Sequence, residues 1–259
     1  MRIVVKVGTS TLAHSTGRMN IRHVEDLVKV LSDLKNAGHE MILVSSGAIG
    51  MGVGKLNLPG KPSDMPTKQA AAAVGQCELM YTYDRLFLQY NHTVAQILLT
   101  GEDVDHTERR ENFENTMERL LELGSLPIIN ENDTVATAEI KVGDNDTLGA
   151  IVARCVKADL LVLLSDIEGL YTADPHRDRS ARLIPVVEEV TPEIEALAGG
   201  TGSALASGGM ATKLKAAKLA AQVGCDMVIA NGKRPQALYD IAQGRPAGTR
   251  FLGKKPSNP

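Results

Sequence analysis

Short apolar runs alternate with longer segments of helical periodicity along most of the 259-residue chain. The first run, Arg2–Val7, is almost continuously apolar, which is typical of a strand covered on both faces of a sheet. After Asn20, apolar residues recur on one face of a helix until Gly38. The same reading predicts strands at Glu40–Val44, Thr93–Leu98, Leu126–Ile129, Leu160–Leu164, Asp226–Ala230 and Thr249–Leu252, and helices at Thr67–Tyr90, Arg109–Leu123, Thr147–Val156 and Met210–Val223.

This alternation predicts an α/β fold with a mainly parallel sheet and helices on both faces. The chain shows no repeat, low-complexity tract or linker, so we expect one domain with two lobes around a cleft. Val135–Val142 is interpreted as a short hairpin outside the main sheet, and Thr191 as the cap of a short helix opened by Pro192. Ligands of parallel sheets bind beyond the carboxyl ends of the strands, so site residues are expected in the loops there.

Composition excludes some classes of function. Acidic residues (31) nearly balance basic ones (28), Trp is missing and aromatic residues make up 3%, which argues against nucleic-acid binding. No apolar run approaches the roughly 20 residues that cross a bilayer. The cysteines, Cys77, Cys155 and Cys225, are far apart in apolar surroundings, so we expect buried thiols in a soluble cytoplasmic protein that contacts no membrane.

Two positions near the N-terminus suggest anion binding. Lys6 lies inside an apolar strand and precedes Gly8; burying its ammonium is costly unless an anion meets it, although the lysine could also reach water from an edge strand. Ser45 and Ser46 precede Gly47 at a strand-to-helix junction, where free N–H groups can bind an anion. On these residues alone, a simple N-cap by Ser45 or Ser46 is the favoured interpretation.

Polar clusters at other strand ends add to this picture. Asn130–Asp133 follows one predicted strand and Gly143–Asp146 precedes a helix, so the two clusters resemble two walls of a substrate site, although turn chemistry alone explains Asp144. Ser165 and Asp166 lie at another strand end, and Ser207–Lys213 forms a glycine-rich helix start without Walker A spacing. Two lysines, two glycine-rich helix starts and acidic clusters together indicate phosphoryl transfer, which depends on alignment and charge neutralisation.

These motifs resemble those of the glutamate 5-kinase family, in the amino-acid kinase superfamily, across essentially the whole chain. The resembling segments are VVKVGTS at Val4–Ser10, VSSGAIGMG at Val44–Gly52, KQAAAAVGQ at Lys68–Gln76, INENDTVATAEIKVGDND at Ile129–Asp146, LLSDIEGLYTADP at Leu163–Pro175 and SGGMATKLKAA at Ser207–Ala217. The Ile129–Asp146 segment is highly specific, whereas the Lys6 and Lys213 motifs are shared by related kinases.

The resemblance implies a three-layer α/β/α fold of the carbamate kinase type and ATP-dependent phosphorylation of the γ-carboxylate of L-glutamate, the first step of proline biosynthesis. Glutamate would bind to a lobe of about residues 1–158 and ATP to a lobe of about residues 159–253, followed by a tail at 254–259. Mg²⁺ would be held mainly by the nucleotide phosphates, without dedicated protein ligands.

The resemblance also implies roles for individual residues. Lys6 and Lys213 would stabilise the transferred phosphoryl group, with Asp146 positioning both. Ser46 and Gly47 would hold the reacting carboxylate, which replaces the capping interpretation of Ser46. The remaining roles are binding of the amino-acid end of glutamate by Asp133 and Asn145, and of the nucleotide by Ser165, Asp166, Ser207, Gly208, Gly209, Met210, Ala211, Thr212 and Lys213.

Further expectations follow from the same resemblance. They are a homo-oligomer (dimer or tetramer), feedback inhibition by proline and a downstream glutamyl-phosphate reductase. Many members of the family carry an additional C-terminal PUA-type domain, for which this chain leaves no room after Pro259. The alternatives are a related kinase acting on N-acetylglutamate, aspartate, carbamate or UMP, or a non-catalytic sensor of glutamate or proline; RNA binding has the weakest support.

Overall fold

The computed structural model describes residues 1–14, 18–137, 142, 144–175, 177–198 and 209–254. The strands in these ranges form one eight-stranded sheet. They are β1 (Arg2–Val7), β2 (Glu40–Ser45), β3 (Val94–Leu99), β4 (Leu126–Glu131), β5 (Leu160–Ser165), β6 (Val186–Val187), β7 (Asp226–Asn231) and β8 (Thr249–Phe251). The helices are α1 (Thr9–Leu12), α2 (Ile21–Asn36), α3 (Ala48–Lys55), α4 (Met65–Leu88), α5 (Gly101–Asp105), α6 (Thr107–Glu122), α7 (Asn145–Cys155), α8 (Pro192–Leu197), α9 (Met210–Ala221) and α10 (Ala237–Ala242).

The sheet has the order β3-β4-β2-β1-β5-β7-β8-β6. Its pairings are parallel except for β7 with β8, which confirms the predicted mainly parallel sheet. The first strand lies near the centre, between β2 and β5. The carboxyl ends of β4, β2, β1, β5 and β7 therefore lie side by side along one edge of the sheet.

Two apolar layers cover the sheet. Residues alternate between its faces along β1: Val4 belongs to the core under α6, α7 and α9, whereas Ile3 and Val5 belong to the core under α2, α4 and α10. This arrangement is the expected α/β/α sandwich. By the same alternation, Lys6 lies on the α7 face of the sheet.

The predicted strands of the main sheet and the predicted helices are present, with boundaries that differ by at most two residues. Asn20 caps α2 by accepting a hydrogen bond from the His23 N–H, and Thr191 caps α8 by accepting one from Ile194, as predicted. Sequence analysis missed α1, α5, α10 and β6, which are each six residues long or shorter. Such short segments contain too few residues to show a period.

Several expectations need correction or lie outside the described residues. Cys155 and Cys225 are buried as expected, but Cys77 is exposed because it lies on the outer face of α4. Part of the predicted hairpin, residues 138–141, is outside the described ranges, and so are most of the glycine-rich loop at 199–209 and the tail at 255–259. Within the described ranges, no helix combines the length and apolar character needed to span a bilayer.

Candidate active site

Two lysines meet on one carboxylate at the carboxyl edge of the sheet. Lys6 Nζ lies 2.7 Å from Asp146 Oδ1, and Lys213 Nζ lies 2.9 Å from Asp146 Oδ2. Asp146 and Lys213 are 4% and 7% exposed, and the Lys6 side chain is 12% exposed. We call these three residues the charged triad; the structure brings together residues that are 67 or more positions apart in sequence.

Local packing explains why these side chains converge. Asp144 caps α7 by accepting a 2.7 Å hydrogen bond from the Thr147 N–H, so the helix begins two residues earlier than predicted and Asp146 lies in its first turn. One turn further on, Gly149 packs against Lys6: a Cβ added to this glycine would lie 3.4 Å from Lys6 Cβ. The first turn of α9 delivers Lys213 from the other side.

The triad carries a net positive charge. Burial raises the pKa of Asp146, but the charges of Lys6 and Lys213 outweigh it, and the pKa is lowered overall. The carboxylate is therefore ionised at neutral pH, and two ammonium groups on one carboxylate leave one positive charge. Gly8 leaves the space beside Lys6 Nζ without a side chain, since an added Cβ at this glycine would lie 3.5 Å from Lys6 Nζ. The site is suited to a negatively charged group.

A second, neutral group of side chains lies beside the triad. Asn145 Nδ2 donates hydrogen bonds to Ser46 Oγ (2.6 Å) and to Asn130 Oδ1 (3.1 Å). Asn130 is 3% exposed and lies within β4, which extends through Glu131, further than predicted. The extension follows from pairing with β3, where Leu98 and Leu99 are opposite Asn130 and Glu131.

The capping interpretation of the two serines is wrong. Gly47 is the N-cap of α3, with φ of 108°, a conformation that glycine adopts at low cost. Ser45 is fully buried, and its hydroxyl lies 2.9 Å from the Tyr83 hydroxyl. Ser46 points instead toward Asn145, so its hydroxyl is available at the mouth of the site.

A cleft of about 600 Å³ opens above these polar residues. Three acidic residues, Glu131, Asp133 and Asp144, line it, and Lys61 is the cationic residue among the described residues of its lining. Glu131 Oε1 accepts a 2.6 Å hydrogen bond from the Val142 N–H, which ties the wall at residue 142 to β4. The remaining lining is Thr9, Ser46, Gly47, Ala48, Ile49, Gly50, Val53, Leu58, Pro59, Gly60, Asn130 and Asn145.

The residues expected to bind nucleotide lie along the same edge of the sheet. Ser165 ends β5, and its hydroxyl donates to Asp166 Oδ1 at 3.0 Å. Gly209 precedes α9 and provides no side-chain cap, so the helix start offers backbone N–H groups. Thr212 Oγ lies 3.0 Å from the Gly209 carbonyl oxygen and 3.3 Å from Asp146 Oδ2. Met210 and Ala211 lie in the same first turn, whereas Ser207 and Gly208 are outside the described residues.

Sequence analysis did not single out four residues of this region. Asn130 belonged to a recognised polar cluster, but its contacts with Asn145 depend on the register of β4. Thr9 and Lys61 reach the cleft from loops or short elements that have no periodic signal. Gln76, directly behind Asn130, is distinguished in the sequence only as the end of a resembling segment. Residue patterns gave no means of choosing these side chains over their polar neighbours.

Comparison with solved structures supports the fold. Carbamate kinase from Giardia lamblia bound to AMP-PNP matches with a TM-score of 0.69 and 16% identity over 98% of each chain. Isopentenyl phosphate kinase from T. acidophilum matches with a TM-score of 0.65 and 17% identity over 97% of this chain and 100% of that one. The model of the amino acid kinase family matches residues 1–231, so the chain belongs to the amino acid kinase family.

Proteins of similar sequence show to which branch of the amino acid kinase family the chain belongs. Glutamate 5-kinase from Clostridium tetani is 55% identical over 249 residues, 96% of this chain and 93% of that relative. The Listeria innocua glutamate 5-kinase is 52% identical over 98% of this chain and 94% of the relative. That from Moorella thermoacetica is 52% identical over 98% of this chain, but only 67% of the longer relative is covered. The chain therefore belongs to the glutamate 5-kinase branch of the amino acid kinase family.

Proposed function

We propose that this protein transfers the γ-phosphoryl group of ATP to the γ-carboxylate of L-glutamate, forming L-glutamyl 5-phosphate in the first step of proline biosynthesis. The observation that carries the proposal is the pair of lysines on the buried Asp146, next to a cleft lined by acidic residues, asparagines and serine. Membership of the glutamate 5-kinase branch supports the choice of substrate.

The chemistry needs positioning more than proton transfer. The γ-carboxylate of glutamate, with an ordinary pKa of about 4.3, is ionised at neutral pH and needs no general base. One of its oxygens forms a bond to the γ-phosphorus while the bond from phosphorus to the β,γ-bridging oxygen breaks, and ADP leaves with that electron pair. Lys6 and Lys213 would stabilise the charge on the oxygens of the migrating group, and Asp146 would hold both ammonium groups in place.

The cleft suggests an orientation for glutamate. The Ser46 hydroxyl and the Gly47 N–H would bind the reacting carboxylate, and Asp133 with Asn145 would bind the ammonium. Lys61 would then face the α-carboxylate as the counter-charge. UMP fits this cleft poorly because Asp133 and Asp144 would repel its phosphate, and N-acetylglutamate lacks the ammonium that the acidic wall would bind.

ATP would lie across the start of α9. Backbone N–H groups after Gly209 can cradle a polyphosphate while Lys213, in the same turn, reaches the transferred group. We place glutamate over about residues 1–158 and ATP over about residues 159–253, with Ser165 and Asp166 on the nucleotide side. In the described ranges, no three His, Cys, Asp or Glu side chains form a group that could hold a metal. We propose that Mg²⁺ binds mainly to the nucleotide phosphates.

Three further proposals rest on the family. Proline carries the same ammonium and α-carboxylate as glutamate, so we propose that it competes at the cleft. A homo-oligomer, dimer or tetramer, and a glutamyl-phosphate reductase that consumes the product are the expected protein partners. The cytoplasmic location stays a prediction from the scattered free cysteines.

The test is ADP release from Mg-ATP with glutamate, N-acetylglutamate, aspartate, carbamate and UMP in parallel. Hydroxylamine is added to trap an acyl phosphate as the hydroxamate. Hydroxamate with glutamate alone is the expected result. Turnover with another acceptor instead would overturn the roles of Asp133 and Asn145, and ATP binding without any turnover would favour a ligand sensor.

A further inference from the structure

A continuous chain of side-chain hydrogen bonds runs from the surface of β3 to the cleft. Gln96 is exposed and accepts a 3.0 Å hydrogen bond from Gln76 Nε2. Gln76 Oε1 accepts one of 3.0 Å from Asn130 Nδ2, and Asn130 Oδ1 accepts one from Asn145 Nδ2. Asn145 ends the chain by donating to Ser46. We call Gln76, Asn130, Asn145 and Ser46 the amide chain.

A backbone N–H and Gln76 hold the two ends of the Asn130 amide and so fix the direction of the bonds in this chain. The N–H of Glu131 points at the Asn130 side chain at 2.9 Å, and an N–H can only donate, so the Asn130 atom there is its oxygen. The Asn130 nitrogen must then face Gln76, which has to present its own oxygen. Both hydrogens of the Asn145 amide are committed to Asn130 and Ser46, so the atom that Asn145 offers to a ligand is its oxygen.

The direction of the bonds fits the charges of an amino-acid substrate. An oxygen on Asn145 accepts from an ammonium, whereas an inverted amide would present a donor to a group that is itself only a donor. Ser46 Oγ already accepts from Asn145, so its own hydrogen is free to donate to a carboxylate. The amide chain therefore presents an acceptor, the Asn145 side-chain oxygen, to the substrate ammonium and a donor, the Ser46 hydroxyl, to its carboxylate.

We infer that Gln76 is a positioning residue for the amino-acid substrate: by accepting from Asn130, it keeps the Asn145 oxygen and the Ser46 hydrogen facing the cleft. Gln76 is 7% exposed and does not line the cleft, so it acts through Asn130 and touches no substrate itself. The inference rests on the proposed function, since the orientation matters only for a ligand that carries both an ammonium and a carboxylate.

The test compares Gln76→Leu with Gln76→Glu in the full chain. Leucine leaves the buried Asn130 Nδ2 without its acceptor, so Asn130 is held by the Glu131 N–H alone and can rotate away from Asn145, whose amide then loses its fixed partner. We expect the KM for glutamate to rise about tenfold while the KM for ATP changes less than about twofold, a free-energy difference of about 1.4 kcal/mol. The side-chain carboxylate introduced by Gln76→Glu still accepts a hydrogen bond from Asn130, and the exposed Gln96 can rotate to donate to it. This variant should therefore have a KM for glutamate near that of wild type.

Inhibition by glutarate separates orientation from general damage. Glutarate has both carboxylates of the substrate but no ammonium, so it is affected only through Ser46, and its inhibition constant should rise clearly less than the KM for glutamate in Gln76→Leu. Cys77→Ser, at the adjacent exposed position of α4, is the matched control and should leave all constants unchanged.

Two outcomes would overturn the inference: an unchanged KM for glutamate in Gln76→Leu, or an equal rise in the glutarate inhibition constant, which would mean a merely structural role. Thermal unfolding of each variant identifies loss of fold. If Gln76→Leu does not fold, a KM for glutamate in Gln76→Glu that is well above the wild-type value overturns the inference by itself. Wild-type protein that forms no hydroxamate from glutamate would instead contradict the proposed function.

Discussion

The charged triad and the amide chain are neighbours that hold their side chains by different physics. Asn145 and Asp146 are adjacent in the first turn of α7, yet one points to Ser46 and Asn130 and the other to Lys6 and Lys213. In the triad, the sign and separation of charges matter, and burial strengthens each interaction. In the amide chain every member is neutral, and the direction of each hydrogen bond matters.

This difference predicts different consequences of substitution. Loss of charge in the triad should reduce turnover itself, because charge stabilisation acts on the transferred group. Loss of direction in the amide chain should mainly weaken binding of the amino acid, because in the proposed mechanism its members contact the amino acid and not the transferred phosphoryl group. The following predictions test that division, from the largest expected effect to the smallest.

Removal of a triad lysine should have the largest effect. Lys6→Met and Lys213→Met keep much of the apolar stem but remove the ammonium, and we expect turnover to fall by about 10²–10³ or more, as when a transition-state donor is lost. Lys215→Met, on the exposed side of the same helix, is the control and should keep full turnover. Normal turnover in either folded triad variant would contradict the role of that lysine.

Neutralisation of Asp146 should reduce both turnover and stability. Asp146→Asn keeps the shape but leaves two ammonium groups, one buried and one mostly buried, without a counter-charge, so we expect turnover to fall by about tenfold or more. The folded pKa of Asp146 is lowered. Its contribution to stability is therefore present above the ordinary pKa of about 3.9 and is lost as the pH falls through the folded value.

The pH dependence can be checked by thermal unfolding of both proteins. At pH 7 wild type should unfold at a higher temperature than Asp146→Asn, and the difference should shrink as the pH is lowered below about 4. A difference that does not depend on pH would show that the ionised carboxylate adds no stability.

The triad and the amide chain also differ in how far the sequence predicts them. Lys6 is recognisable as a lysine in an apolar strand, and Asp146 and Lys213 lie in motifs that resemble a known family. The parallel sheet was predictable because its strands are long enough to show continuous apolar runs. The amide chain was not, since amide direction depends on the Glu131 N–H and on the register of β4 with β3.

The serines show the same limit at a single junction. Sequence reasoning placed Ser45 and Ser46 correctly at a helix start but could not tell which face each side chain occupies. Gly47 takes the N-cap position with a positive φ, which turns Ser45 into the core and Ser46 toward the cleft. A shift of one residue in the turn would exchange these two environments.

Substitution of these serines should therefore separate stability from binding. Ser46→Ala should raise the KM for glutamate by about five- to tenfold, with little change in unfolding temperature, because a half-buried hydroxyl at the cleft is lost. Ser45→Ala should leave the KM unchanged but destabilise the fold by about 1–3 kcal/mol, since the buried Tyr83 hydroxyl loses its partner. If the two effects were exchanged, the assignment of Ser45 to the core and Ser46 to the cleft would be contradicted.

The smallest effect is expected at Lys61, on the exposed wall of the cleft. Lys61→Ala should raise the KM for glutamate by up to about fivefold, because an exposed ion pair contributes about 0.2–1 kcal/mol. Salt screens exposed charges, so the difference from wild type should shrink as ionic strength rises from about 0.01 M to 1 M. The buried triad should show little such dependence.

Lys55→Ala is the control for Lys61, because Lys55 is an exposed lysine at the end of α3 that pairs with Glu78 at 2.6 Å outside the cleft. Its KM for glutamate should match wild type at every salt concentration. Equal effects of the two lysine variants would indicate that the charge of the surface as a whole, and not a direct contact, attracts the anionic substrate. An effect confined to Lys61 would place the α-carboxylate on this wall, at the opposite end of the substrate from the triad.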